Sequence, residues 1–308
     1  MPAQITQLPA ALEATYKTRE VEGILDLYFY RKVGFWLARF FARLNLTPSA
    51  VTLMGGVFGV FAGHLYYYRD LRINVAGMLL HVWANALDNA DGQLARLTNK
   101  KSRQGRILDS LVDHLIFFSV YLHLTLRCLN EGASPAIWLL ALAAGASHAL
   151  QAMAADYCRN AYIYFAKGKA QADFDSYSSL LADYRKLDWF RQPWDKFLHA
   201  VYVRATRQQE VLSPGLRQLR DTVTLQFAND IPSWLQNHYR DVIRPTFKLW
   251  GFLMTNTRMF FLFLFLIMDR PAWFFWVELT GFNILFVFLI LQQEMKSRSL
   301  LGLARAHP

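Results

Sequence analysis

The sequence predicts an all-α polytopic membrane protein: six transmembrane helices, an amphipathic interfacial helix ahead of them, and a helical cytoplasmic insertion between the fourth and fifth. Three observations carry this expectation. Six apolar segments are each long enough to cross a hydrocarbon layer, which takes about 20 residues. Lysine and arginine gather beside alternate ends of those segments. Of 308 residues, 54% are hydrophobic and 15% aromatic against 18% charged, too apolar for a disordered chain and too charged to be membrane throughout.

The first twenty residues lack a basic start followed by an apolar core, so no cleavable signal is expected and the chain begins on the cytoplasmic side. Residues 1–46 form an N-terminal segment whose stretch Ile24–Leu44 mixes Leu27, Trp36, Leu37, Phe40, Phe41 and Leu44 with Arg31, Lys32, Arg39 and Arg43. That mixture suits a helix lying on a lipid surface. Residues 47–166 hold four spans, Pro48–Tyr68, Ile73–Asp91, Gly105–Arg127 and Ser134–Arg159. Span one carries Gly55, Gly59 and Gly63, a small-residue stripe that lets another helix approach closely. Residues 245–308 hold two more spans, Phe247–Met268 and Pro271–Gln293, and a cytoplasmic tail.

Charge sets the orientation. Arg31, Lys32, Arg39 and Arg43 precede span one, Arg96, Lys100, Lys101, Arg103 and Arg106 follow span two, and Lys296, Arg298 and Arg305 follow span six. The opposite connections carry only Arg69, Arg72, Arg127 and Arg270. Both termini are therefore expected in the cytoplasm, at the inner membrane if the source is bacterial. The formal charge of +10 sits beside apolar segments, which points to a membrane and away from nucleic acid. Two cysteines, Cys128 and Cys158, form no disulfide framework or metal motif and read as small apolar fillers.

The insertion, residues 167–244, is far longer than an ordinary connection. Ser213 and Pro214 read as an N-cap and first turn, with Leu216, Leu219, Val223 and Phe227 on one stripe. A second helix starts around Asp230–Pro232, with Trp234, Leu235, Tyr239, Val242 and Ile243 apolar, and a third holds Phe197, Val201 and Ala205. There is no internal repeat.

Where spans two and three meet, four acids recur at helical spacing. Asp88 and Asp91 are three apart and Asp109 and Asp113 four apart, so each pair shares a helix face. Clustered acids repel unless protonated or neutralised, and carboxylate oxygens are hard ligands for magnesium, manganese or calcium. Gly92 and Gly105 leave room for a ligand, and Arg96 offers a forked positive charge to phosphate oxygens. Asp113 suits either metal ligation or proton abstraction from a hydroxyl.

The run Asp88-x-x-Asp91-Gly92-x-x-Ala95-Arg96, then eight residues to Gly105, then Asp109 and Asp113, resembles the complete motif of the CDP-alcohol phosphotransferases. Thr47-Pro48-Ser49-Ala50-Val51-Thr52 is similar to the family's Thr-Pro-Asn-x-x-Thr, with Ser49 in place of asparagine. The resemblance implies cleavage of a CDP-linked alcohol, release of CMP, and transfer of the phospho-alcohol to an acceptor hydroxyl. It implies two Mg2+ or Mn2+ ions held by Asp88, Asp91, Asp109 and Asp113, with Asp113 also the base. Thr52, Asp88, Gly92, Ala95, Arg96 and Gly105 would surround the CDP-alcohol, and a homodimer is implied as well.

Span four carries a polar stripe of His148, Gln151, Arg159 and Tyr162, and span five carries Arg258. Apolar helices keep such residues where they face a cavity or other polar groups, so His148, Gln151, Arg159 and Arg258 are acceptor candidates. His81 and Asn85 continue the Asp88 face inward, and His114 turns away from the acids. The expected function is phospholipid synthesis, moving phosphatidyl from CDP-diacylglycerol to a polar alcohol. The same chemistry also fits a CDP-linked choline- or ethanolamine-like headgroup with diacylglycerol or ceramide as acceptor. A divalent-cation transporter is the rival from another class, but it leaves Gly92, Ala95, Arg96 and Gly105 unexplained.

Overall fold

A computed structural model describes residues 23–168, 174–227 and 230–306. The described elements are helical, so the all-α expectation holds. The start of the N-terminal segment lies outside the described residues. A π-helical turn, Asp26–Tyr30, leads into α1 (Arg31–Arg43). Then come α2 (Pro48–Leu65), α3 (Leu71–Leu97), α4 (Arg103–Asn130) and α5 (Ile137–Lys167). The insertion supplies α6 (Tyr177–Lys186), α7 (Pro193–Leu212) and α8 (Pro214–Phe227). Last are α9 (Ser233–Trp250), α10 (Thr255–Ile267), α11 (Ala272–Val277) and α12 (Asn283–Ala306).

Five stretches among the described residues are long and apolar enough to cross a membrane: α2, α4, α5, Ser233–Ile267 and Ala272–Ala306. Helix α3, with 27 residues, is longer than α2 and a little shorter than the rest, roughly 40 Å at the usual rise. Its Asn74, His81, Asn85, Asp88, Asn89 and Asp91 keep it out of that set. It also does not stop at Asp91, as expected for span two, but runs unbroken through the acidic motif to Leu97.

Local signals set the helix starts. Thr47 caps α2, its Oγ1 accepting from Ala50 N at 3.2 Å, with Pro48 in the first turn. Asp70 caps α3 by accepting from Arg72 N at 2.7 Å, and Ser102 caps α4 by accepting from Gly105 N at 3.0 Å. Asn45 and Asn99 take left-handed conformations at φ 55° and 52°, which ends α1 and α3 and turns the chain tightly into the next helix.

The chain divides into two compact units, residues up to Gly145 with Met259–Trp276, and Ala146–Arg258 with residues from Val277 onward. In the first, α2 lies against both α3 and α4 through its glycines. A Cβ on Gly55 would sit 3.4 Å from Ala84 O of α3, and one on Gly59 only 2.5 Å from Ile116 Cδ1 of α4. At Gly63 it would meet the backbone, 2.9 Å from Val120 N. The stripe is thus used inside the chain and offers no free face for a second copy. Helix α1 docks on the back of α3, where Ala38 and Phe41 join Val51, Leu87, Ala90 and Leu94 in one core cluster. Gln93 Nε2 donates to Arg31 O at 3.0 Å across the same contact. Trp36, Phe40 and Leu44 face outward from α1.

Away from the acidic end, buried Arg127 donates to Glu131 at 2.9 Å and to Asp269 at 2.5 Å, and Arg69 also binds Asp269. Desolvation works against a charged Asp269, but the hydrogen bonds and charges of Arg69 and Arg127 outweigh it and hold the carboxyl below its ordinary range.

In the second unit, α8 begins at Pro214 and buries Leu216, Leu219 and Val223, as the stripe predicts. The expected helix after Pro232 is α9, which buries Leu235, Tyr239 and Ile243. It runs through Pro245 to Trp250, past the expected start of span five, before a 3-10 turn at Gly251–Leu253 interrupts it. The third expected helix, holding Phe197, Val201 and Ala205, is α7. Phe197 and Val201 are exposed, while Leu198, Thr206 and Glu210 are buried. Glu210 Oε1 accepts from Arg220 Nη2 at 2.8 Å and from Tyr177 N at 2.9 Å, tying α7 to α8 and α6.

Candidate metal centre

Because α3 continues through the motif, Asp88 and Asp91 project from one face one turn apart, and Asp109 meets them from the second turn of α4. Asp88, Asp91 and Asp109 each offer a carboxylate oxygen, and these oxygens all lie within 4.8 Å of one another. Asp91 is buried, and Asp88 and Asp109 are half-buried. Asp113 lies one turn farther along α4, exposed and outside this group of three. Asp109 Oδ1 is a buried acceptor with no hydrogen-bond partner. A buried carboxylate oxygen left unsatisfied costs the full desolvation of that atom, and three acids so close repel. A divalent cation answers both costs, and an all-oxygen set of this kind suits a hard one. The cluster therefore fits a metal ion by its own chemistry.

Neighbouring groups aim the acids. Thr52 Oγ1 contacts Asp91 Oδ2 at 2.5 Å and Pro48 O at 3.1 Å, so a hydroxyl near the start of α2 fixes a carboxylate on α3. Outer-shell partners of this kind typically carry 10–100-fold of metal affinity or activity, so Thr52→Val is expected to weaken metal activation by about 10–100-fold. Titrating activity against the metal checks this, and an unchanged midpoint would detach Thr52 from the site. The Arg96 guanidinium folds back over Gly92, where an added Cβ would stand 3.5 Å from Nη2. A methyl at Gly92 would rest in ordinary contact with the arginine. The Gly105 N–H is committed to the Ser102 cap, so what it leaves to a ligand is its bare Cα. Ala95 lies half-buried beside Arg96.

His81 is not part of this group. It is buried, its Nδ1 lies 3.2 Å from Tyr66 OH, and its ring meets Phe117 and Phe263 edge-on. Asn85 accepts from Asn89 Nδ2 through its backbone carbonyl at 3.0 Å. His114 is exposed and engages Ser110 O at 2.6 Å, in keeping with its turning away.

The acceptor candidates all fall in the second unit. Gln151 and Arg258, 107 residues apart, meet directly, Arg258 Nη2 donating to Gln151 Oε1 at 2.6 Å. Arg258 Nε donates to Glu278 at 2.9 Å and Nη1 to Leu253 O, while Gln151 Nε2 donates to Asn283 Oδ1 at 2.9 Å. Every nitrogen of the guanidinium is thereby engaged inside the protein. Arg159 pairs with Asp156 at 2.5 Å, and His148 is buried on α5. Sequence reasoning missed Glu278 and Asn283. Glu278 had a signal, a lone acid inside an otherwise apolar segment. Asn283 had none.

A family model described as CDP-alcohol phosphatidyltransferase matches residues 45–174. Over 74 residues the chain is 39% identical to archaetidylinositol phosphate synthase of Pyrococcus horikoshii, 24% of this chain and 38% of that protein. Over 85 residues it is 39% identical to an uncharacterized protein of Aquifex aeolicus, 28% of this chain and 42% of that one. The matched stretches thus span less than half the length of either curated relative.

Proposed function

Since residues 45–174 form a domain of the CDP-alcohol phosphatidyltransferase family, we propose that this chain transfers a phosphatidyl group from CDP-diacylglycerol to the hydroxyl of a small polar alcohol, releasing CMP. The observation that carries the proposal is the convergence of Asp88, Asp91 and Asp109 with Asp109 Oδ1 unsatisfied. A relative named for making archaetidylinositol phosphate weights the reading toward lipid synthesis.

Asp88, Asp91, Asp109 and Asp113 are the proposed ligands of two Mg2+ or Mn2+ ions. When bound, such ions offset charge on a diphosphate as a phosphoryl bond breaks. The chain's own residues do the rest. Thr52 orients Asp91, and Arg96 presents a forked donor to phosphate oxygens over the open backbone of Gly92. Asp113, exposed at the rim, takes the proton of the acceptor hydroxyl. The new bond joins acceptor oxygen to the β-phosphorus, the bond to CMP breaks, and CMP leaves with the electron pair.

His148 and Arg159 are the proposed acceptor contacts, and Gln151 and Arg258 brace that region from inside the protein. In this reading α3 completes six spans, α1 rests in the interface on Trp36, Phe40 and Leu44, and the acids face the cytoplasm.

Purified protein in proteoliposomes, offered CDP-diacylglycerol and candidate alcohols, is expected to release CMP, to stop when chelator is added, and to resume with Mg2+ or Mn2+. CMP release indifferent to chelator would sink the metal assignment. Metal flux without CMP release would favour a transporter. Turnover only with CDP-linked headgroups and diacylglycerol or ceramide would reverse the donor assignment.

A further inference from the structure

The insertion has an apolar feature that its own packing does not use. Between α6 and α7 the chain makes a short turn whose tip is Phe190, 97% exposed, the most exposed large apolar side chain among the described residues. The turn is held firmly. Asp188 Oδ1 accepts from Phe190 N at 2.8 Å and from Arg191 N at 3.0 Å, and Asp188 O accepts from Gln192 N at 3.0 Å. Lys196 reaches back to Leu187 O at 2.6 Å and lies over the rings of Tyr184 and Trp189, 4.9 and 5.7 Å from their centroids. Trp194 and Phe197 stack on each other at 5.8 Å, both exposed, and Trp189 is exposed as well. A braced turn therefore presents Phe190, Trp189, Trp194 and Phe197 outward.

We propose that this turn is a membrane anchor, seating Phe190 among the acyl chains and Trp189 and Trp194 at the headgroups of an anionic lipid surface. Two further features of the chain select lipid as the occupant. The insertion joins two stretches long and apolar enough to cross a membrane, α5 and Ser233–Ile267, which would hold it at one membrane face. The charges around the tip suit anionic headgroups. Arg185 and Arg191 are exposed, and of the nearby acids Asp183 is paired with Lys186 at 3.0 Å, Asp188 accepts from backbone amides, and Asp195 is half-buried in the first turn of α7, beside Lys196. Tryptophan at headgroup level beside a deeper phenylalanine, with arginine at the rim, is the pattern of interfacial segments.

The proposal needs only a membrane protein and does not rest on the transferase reading, so CMP release and anchoring can fail separately. The test uses the full chain with Phe190→Cys carrying a nitroxide, in nanodiscs containing phosphatidylglycerol. Both native cysteines are buried, which confines labelling to the tip. The label is expected to collide more with dissolved oxygen than with a water-soluble nickel chelate, and Arg191→Glu should shift that balance toward the chelate. Chelate access equal to that of a label in bulk water would overturn the proposal. Protection from both reagents would overturn it too, since a protein partner or second copy would then cover the turn.

Discussion

Replacing Asp109 with asparagine is expected to abolish CMP release, by about 10³-fold, the size that removing one electrostatic stabiliser reaches elsewhere. The same substitution should raise the melting temperature of the protein in chelator. The two effects share a cause. Without a cation, three carboxylates within 4.8 Å repel, by about 3 kcal/mol per fully charged pair at an effective dielectric near 20. Asparagine keeps the shape and removes one charge. With saturating Mg2+ the order should invert, because only the wild type gains the free energy of binding the ion. Melting curves with and without metal, read beside a CMP assay, check both signs. An Asp109→Asn protein with wild-type turnover would take Asp109 out of the ligand set.

The second large effect is expected at Arg258. Arg258→Met leaves Glu278 buried without its partner, and breaking a buried pair in this way costs about 3–5 kcal/mol. Glu278 has no exposed surface, and its Oε2 already lacks a partner, so nothing nearby compensates. The double variant Arg258→Met with Glu278→Leu should recover most of the loss, since an apolar pair of similar volume replaces both charges. Denaturation in detergent with all three variants measures the coupling. If Arg258 instead grips the acceptor, the single variant should stay as stable as wild type and show only a raised KM for the alcohol.

The parts of the fold and site that could be read in advance rest on short-range patterns. Asp88, Asp91 and Asp109 meet because helical spacing within 22 residues brings them to one place, and Thr47-Pro48 starts α2 because a cap is local chemistry. What stayed hidden depends on distant partners. Gln151 and Arg258 read as acceptor candidates because an apolar helix keeps such residues only where they face a cavity or other polar groups. The polar groups they face are Asn283, 132 residues from Gln151, and Glu278, 20 from Arg258. In α7, the existence of a helix over Phe197, Val201 and Ala205 was legible, but the buried Glu210–Arg220 pair that ties it to α8 was not, because its partner lies on the next helix. Helix α9 hid its length because Pro245 looks like a boundary, while the packing of Ile243, Phe247 and Trp250 carries the helix past it.

The left-handed turn at Asn99 has a consequence for how the protein is made. It joins the two acid-bearing helices by a link of a few residues, so every carboxylate of the centre has been synthesised once the chain reaches Asp113. Arg258 and Glu278 come more than a hundred residues later. A nascent chain therefore holds its complete set of metal ligands well before the partners that brace its second half exist, and contacts of such short sequence separation are the quickest to form.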